Sequence, residues 1–589
     1  MHTVNACQRA KLVVGMLALG FLSVAARAQT QTTATAFADL PVVQPTMDCP
    51  ALKFMGHKIS VIAGVPMQVQ SAQVVDEEPA PYCMVKGYVT PSVGFEVRLP
   101  TTRWTQRYLQ LGCGALCGAT KIGGFTNPLV AQQNPMYQRG ELVLAATDTG
   151  HSPGSLFDGT WAAGDPQLRI DFAYRGVHVT SIAAKAIMQA YYGQKPKFSY
   201  FVGCSEGGRE AAMESQRYPE DFNGIISGSP AINFLTQNTF YHAWNARANA
   251  DVNGHLVITP DKLPILHAAA LAACDVQDGL HDSIISEPDS CHYDPVVTQC
   301  RPGQDPATCL SAAQVQAARL IYQGARDEKG NQLVIRGPLP GSELQWNEYV
   351  TIPLGGSETI STYLSTFVSK YMACSQIRPI EYTLADFRFD EATFAQLADM
   401  HTIYDALDPN LSDFEAAGSK LILWHSLGDG SISAVNTVAY YKEVEKLMGA
   451  DRTRKFALLY LFPGGNHCNS GRTPIVADLF SALARWVERN VVPSRVTSYY
   501  FAPNTVNPGG PADMSKVVRT RPVFPYPQVA RYSGSGSIDD AANFEAGTRL
   551  TPEEPINWIG TSSFFKPDYQ QWCGWSGMSF TCGPDRRID

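Results

Sequence analysis

An α/β fold with a doubly wound, mostly parallel sheet is predicted by two features of this 589-residue chain. The first is a set of short apolar runs, each leading into a Gly-rich or polar turn. The second is the helix-like stretches between them, for strands alternating with helices indicate parallel pairing. A third feature agrees with both: residues able to carry chemistry stand just past the ends of those runs, where open parallel sheets gather their functional groups.

The elements follow in chain order. Arg107–Leu111 runs into Gly112-Cys113-Gly114, and Leu142–Ala146 runs into Thr147-Asp148-Thr149-Gly150-His151. Val177–Tyr192 reads as a helix. Phe198–Val202 is a strand that enters Gly203-Cys204-Ser205-Glu206-Gly207, and Arg209–Arg217 reads as the helix after it. Leu421–His425 leads to Gly428-Asp429, a helix is expected over Ala434–Leu447, and Ala457–Phe462 leads to Pro463-Gly464-Gly465-Asn466-His467-Cys468. From Ala231 to Ala417 this rhythm fades, and an inserted lid domain is expected there. Core is expected over 29–230 and 418–545, with an irregular tail over 546–589.

The amino terminus reads as a secretory signal over residues 1–28. Arg9 and Lys11 precede the apolar run Leu12–Val24, and Ala26-Arg27-Ala28 is a cleavage site. Export to the periplasm or the medium is the expectation, with no membrane span. Removing Arg9, Lys11 and Arg27 takes the net charge from −8 to −11. Nucleic acid is thereby disfavoured as a partner, because it selects a basic footprint. All but one of the 14 cysteines follow the cleavage site, and in an exported chain they are expected mostly as disulfides. Cys49 with Cys83, Cys113 with Cys117, Cys274 with Cys291, Cys300 with Cys309 and Cys573 with Cys582 suggest themselves by proximity, which leaves Cys374 over. Oligomeric state is not legible.

Gly203–Gly207 is a G-x-S-x-G elbow in strand–turn–helix context, which makes Ser205 a candidate nucleophile on an α/β-hydrolase core. His467 is the candidate base. Asp429, between them in the chain, completes the order Ser, Asp, His, although an Asp-Gly pair also serves as a plain turn. Asp148 and Asp165 precede the serine and stand in the wrong order. His151 and His425 are rival bases. The sequence neighbours of Ser205 and His467 are Cys204 and Cys468. If serine and histidine touch, the two cysteines fall within the roughly 4.4–6.8 Å Cα separation of a disulfide, a staple across the site. Backbone N–H groups of Glu206 and Cys113 are the expected oxyanion donors. Asp275, Asp278 and Asp282 crowd one turn around Gly279. Oxygen donors of that kind suit Ca²⁺, a solvated acidic turn being the alternative.

Taken together, these segments resemble the tannase and feruloyl esterase family. The match rests on Phe201–Glu210, Gly428-Asp429, Pro463–Cys468 and Cys274–Ile284, with Arg521-Pro522, Pro525-Tyr526-Pro527 and Ala530-Arg531-Tyr532 near the end. The resemblance implies a serine carboxylesterase acting on esters of aromatic (galloyl, feruloyl or related) acids through an acyl-enzyme, with a Cys204–Cys468 disulfide. It also implies a structural Ca²⁺ held by Asp275, Asp278 and Asp282 with the carbonyls of Leu280 and Ile284. Activity on mono(2-hydroxyethyl) terephthalate, which has a free carboxylate, is the alternative; for the lid arginine it calls for, Arg336 and Arg326 are the candidates. A serine peptidase or a non-catalytic binding protein on the same fold are the remaining readings.

Overall fold

The computed structural model describes residues 37–123, 131–152, 156–355, 358–469, 477–502, 513–550, 552–576 and 579–584. The expected signal segment, residues 1–28, lies outside the described residues.

Nine strands form the main sheet: β1 (Met67–Val75), β2 (Tyr82–Val89), β3 (Val93–Pro100), β4 (Arg107–Leu111), β5 (Leu142–Thr147), β6 (Phe198–Cys204), β7 (Gly224–Gly228), β10 (Lys420–Ser426) and β11 (Ala457–Phe462). Two short strands, β8 (Pro353–Gly355) and β9 (Glu358–Thr359), pair separately. The order across the sheet is β1-β2-β3-β5-β4-β6-β7-β10-β11. β1, β2 and β3 form an antiparallel edge that joins β5 antiparallel. From β5 to β11 every neighbouring pair is parallel. This is an α/β-hydrolase fold.

Alternation along the central strands sends side chains to two cores. Tyr108, Phe201, Leu421 and Leu423 point into one, and Leu109, Leu111, Tyr200, Val202, Ile422 and Trp424 into the other. The first is covered by the helices Gly176–Tyr192, Glu206–Arg217 and Val435–Met448. The second is covered by Leu479–Arg489, whose Leu479, Phe480, Leu483 and Trp486 are buried. Because strands buried on both faces must be apolar throughout, these runs stood out in the sequence.

β7 and β10 are parallel neighbours, yet among the described residues the connection between them, 229–419, contributes no strand to the main sheet. It contains the segment read as a lid, with helices such as Leu263–Cys274, Ala312–Gln323 and Ile360–Tyr371 and the disulfides Cys274–Cys291 and Cys300–Cys309.

The carboxy-terminal part is more regular than the sequence suggests. β12 (Val496–Phe501) pairs with β13 (Val517–Val523), β14 (Val529–Tyr532) with β15 (Phe544–Gly547), and β16 (Trp572–Ser576) with β17 (Ser579–Gly583). All four residues of β14 are half-buried, so no apolar alternation marks it. β16 and β17 are closed by Cys573–Cys582. The tail docks on the core: Gln571 O accepts from Arg217 Nη1 at 2.9 Å, and Cys573 N–H donates to Tyr174 Oη at 2.8 Å. Cys49–Cys83 and Cys113–Cys117 are also bridged, and Cys374 is a free thiol. Among the described residues no helix is long and apolar enough to cross a membrane.

Candidate active site

Ser205, Asp429, His467 and the Gly112–Ala115 turn all follow the carboxyl ends of strands in the parallel part of the sheet, β6, β10, β11 and β4. Ser205 has φ 65° and ψ −121°, a conformation that costs a non-glycine residue energy and persists only where surroundings impose it. Ser205 N–H donates to Gly228 O at 3.0 Å, and Ser205 O accepts from Arg209 N at 3.1 Å and Ala231 N at 3.0 Å. A Cβ at Gly203 would lie 2.1 Å from Gly207 O, and one at Gly208 would lie 2.3 Å from Gly228 O. The strand and the helix meet so closely there that only glycine fits. The helix begins at Glu206, three residues earlier than the sequence suggests.

Asp429 Oδ2 lies 2.6 Å from His467 Nδ1. Oδ1 accepts from the N–H groups of Ser431 and Ile432, each at 2.9 Å. Burial alone would raise the Asp429 pKa, but His467 and His425 outweigh it and hold the carboxyl well below the usual carboxylate range. Burial alone would lower His467; the Asp429 charge and hydrogen bond, with a contribution from Glu348, raise it above the ordinary imidazole value. Such a pair keeps the carboxylate ionised and favours the imidazolium that forms when the histidine takes a proton.

Ser205, Glu206 and His467 line one cavity of about 280 Å³, walled also by Phe157, Tyr349, Leu364 and Ile432. Cys204 and Cys468 are joined, with Cα atoms 5.9 Å apart. The rival histidines take other places. His425 is fully buried behind Asp429, with Nδ1 2.8 Å from Thr437 Oγ1. His151 stacks on Trp161 at 3.7 Å, and its Nε2 lies 2.8 Å from Leu116 O. Asp148 accepts from Gly94 and Gly150 N–H groups, and Asp165 caps a helix at Gln167.

The Glu206 side chain pairs with buried Arg209, and the Glu206 N–H opens the helix at the cavity. The Cys113 N–H is engaged elsewhere. It donates to Glu210 Oε2 at 3.1 Å, and Cys113 O accepts from Gly207 N at 2.5 Å. The turn is therefore clamped to the helix at Cys113, and the next residues, Gly114 and Ala115, line the cavity. Nothing local in the sequence marks Glu210 as the partner of Cys113, 97 positions away.

The arginine candidates for a substrate carboxylate do not line this cavity. Arg336 pairs with Glu554, and Arg326 sits in a bridge with Gln332. Among the described residues that line it, none is Arg or Lys, and Glu348 adds a carboxylate.

In the acidic loop, the Asp275 carboxylate accepts from the N–H groups of Asp282 at 3.3 Å and of Ser283 and Ile284 at 3.1 Å each. Asp278 accepts from Leu280 N at 3.0 Å and Ser286 Oγ at 2.6 Å. Asp282 pairs with Arg521. These are hard oxygen donors of the kind Ca²⁺ takes, and the loop already curls around Asp275. The three carboxylates are not drawn together into a cage; Asp282 gives Oδ2 to Arg521, while its Oδ1 accepts from Ile284 N–H at 3.2 Å. Ser283 and Ile285 line a second cavity, about 520 Å³, with Gly428, Gly464 and Asn466, so the loop abuts the turns that carry Asp429 and His467.

A family model described as tannase and feruloyl esterase matches residues 72–546. The chain is 30% identical over 545 residues to an uncharacterized esterase of Xanthomonas campestris, covering 84% of this chain and 90% of that one. It is 30% identical over 529 residues to the mono(2-hydroxyethyl) terephthalate hydrolase of Piscinibacter sakaiensis, covering 79% and 84%. The crystal structure of feruloyl esterase B from Aspergillus oryzae superposes with a TM-score of 0.70 at 23% identity, covering 82% of this chain and 97% of that one.

Proposed function

Since the chain belongs to the tannase and feruloyl esterase family and is a carboxylic ester hydrolase, we propose that it cleaves esters of hydroxylated aromatic acids by way of an acyl-enzyme on Ser205. The contact that carries this reading is Asp429 Oδ2 to His467 Nδ1 at 2.6 Å beside a cavity shared by His467 and Ser205. His467 Nε2 takes the Ser205 proton as Oγ attacks the ester carbonyl, and passes it to the departing alkoxide as the C–O bond breaks. Water, deprotonated by the same nitrogen, then attacks the acyl-enzyme and releases the acid and Ser205. Asp429 fixes the tautomer. The N–H of Glu206 and that of Gly114, one residue beyond the expected Cys113, meet the developing oxyanion.

The acyl group is selected by the cavity. Phe157, Tyr349, Leu364 and Ile432 offer apolar walls to one ring, and Asn238, His242 and Ser431 offer polar groups to ring hydroxyls. A free carboxylate on the ring would meet Glu348 and, among the described residues lining the cavity, no Arg or Lys. We assign the six disulfides to an oxidising compartment, in keeping with export. The acidic loop is assigned a structural Ca²⁺, held by Asp275, Asp278, Asp282 and the carbonyls of Leu280 and Ile284. The ion would neutralise the loop's charge and stiffen it.

Steady-state hydrolysis of methyl ferulate, methyl gallate and mono(2-hydroxyethyl) terephthalate, with a ferulic amide as control, tests this reading. The first two are expected to give the higher kcat/KM, and the amide none. A preference for the terephthalate monoester would overturn the role given to Glu348.

A further inference from the structure

Gln345 lies in the insertion between β7 and β10, at the end of the short helix Glu343–Gln345. Its side chain is 2% exposed. Oε1 accepts from Gly430 N–H at 2.7 Å and from His467 N–H at 3.1 Å. Gly430 follows Asp429 directly. One amide oxygen of the insertion thus holds the turn of the candidate acid and the turn of the candidate base, which come from two different strands of the core. Two donors on one atom fix which end of the amide is oxygen. The other end, Nε2, is buried and has no partner among the described residues. A buried donor left unpaired is costly, so what this side chain contributes here comes through its oxygen.

The backbone around Gln345 is built to keep that oxygen in place. Glu343, fully buried, accepts from Tyr322 Oη at 2.5 Å and from Gly341 N–H at 2.7 Å, and it meets His267 Nδ1 at 2.8 Å. Trp346 is buried, and its Nε1 donates to Ser342 Oγ at 3.1 Å. A Cβ on Gly428 would come 2.8 Å from Gly465 O, and one on Gly430 would come 3.1 Å from Trp346 Cδ1. The three turns 341–346, 428–430 and 464–467 therefore pack backbone on backbone, with Gln345 at their junction.

We infer that Gln345 is a positioning residue for hydrolysis, setting the separation of Asp429 and His467 from within the inserted segment. This inference rests on the proposed Ser205–His467–Asp429 chemistry. Gln345 touches neither substrate nor reacting atoms; it acts through two backbone N–H groups.

Four variants of the full chain test it, compared by kcat, KM, pH–rate profile and melting temperature. Gln345→Leu keeps the volume and removes the acceptor. Its kcat is expected to fall roughly 10²-fold, the scale of a misplacement of about 1 Å, with KM little changed. Gln345→Glu keeps an acceptor for both N–H groups and is expected to restore kcat. Its added negative charge should move the acidic limb of the profile upward. The other ionisable groups facing His467 are Asp429, Tyr349, whose ring meets it edge-on at 6.2 Å, and, at longer range, His242 and Glu348. Ser342→Ala loosens the same segment without touching the triad turns and should lower the melting temperature while sparing kcat. Wild-type kcat in folded Gln345→Leu, or an equal loss of kcat in Ser342→Ala, would overturn the inference. Should Gln345→Leu not fold, a Gln345→Glu profile whose acidic limb stays put would do the same. Ser205→Ala is the comparator: activity retained there would sink the proposed chemistry itself, independently of Gln345.

Discussion

Oδ2 of Asp429, the oxygen that meets His467 Nδ1 at 2.6 Å, also lies 3.2 Å from Nε2 of His425. His425 in turn holds Thr437 and Ile432 O, at 2.8 and 3.0 Å. With Ser431 and Ile432 N–H groups on Oδ1, the carboxylate is bound from both sides and cannot rotate. His425, one of two rival bases in the sequence, is thereby a support for the Asp429 carboxylate.

Asp429→Asn should lower kcat by roughly 10⁴-fold while the chain stays folded, because an amide facing Nδ1 imposes the wrong tautomer. The Asp429 charge raises His467, so its loss should also move the acidic limb of kcat/KM to lower pH. A pH–rate series checks both effects. An unmoved limb would separate Asp429 from His467.

The Cys204–Cys468 bridge closes a loop of 264 residues. The chain-entropy model assigns such a loop about 5 kcal/mol. A Cys204→Ala, Cys468→Ala double variant should melt lower and turn over more slowly, since the bridge ties the serine elbow to the histidine turn. Non-reducing peptide mapping should show the two peptides linked, and a free thiol at Cys204 in active protein would refute the staple.

Chelation should lower the melting temperature, and Ca²⁺ should restore it. An ion that binds only the folded state at one hundred times its Kd adds about 2.7 kcal/mol. Because Asp282 is paired with Arg521, the loop should stay closed without the ion, so the shift should exceed any loss of kcat. No shift, with no calcium found by elemental analysis, would leave Arg521 and Arg519 as the counter-charges at Asp282.

Glu210 is fully buried against the Cys113 turn, and burial first, then the charge of Glu206, pushes its pKa up to about 8, with Arg209 opposing. The folded state therefore holds a proton that the unfolded chain releases near the ordinary carboxyl value of 4.5. Stability from this group is full below that pH and is lost as pH rises toward 8. Glu210→Gln keeps an acceptor for Cys113 N–H and cannot ionise. Its melting temperature should vary less across this window and exceed that of the wild type at its alkaline end. Parallel melting curves would count against a buried neutral Glu210.

Much of this architecture is written locally in the chain. β4, β6, β10 and β11 are apolar because both faces are covered, and the elbow shows itself because Gly203, Gly207 and Gly208 are forced by close contacts. The antiparallel edge β1–β3 carries no turn with functional residues and went unread. So did the short strands of the tail, whose half-buried residues lack a period. Gln345 and Glu210 were invisible for another reason. Each acts on backbone N–H groups, Gln345 on those of Gly430 and His467 and Glu210 on that of Cys113, all distant in the chain, and no residue-type pattern marks such a contact. The bond from Cys113 N–H to Glu210 was illegible on the same ground: a glycine-flanked turn foretells a close approach, but not which of its N–H groups Glu210 will claim.

Whether Ser205 is the nucleophile is tested most directly by Ser205→Ala. Ester hydrolysis and melting temperature should be measured on the same preparation. The expected result is a loss on the order of 10⁶-fold in kcat with an unchanged melting temperature. A folded variant that keeps a tenth of wild-type turnover would contradict the proposed chemistry.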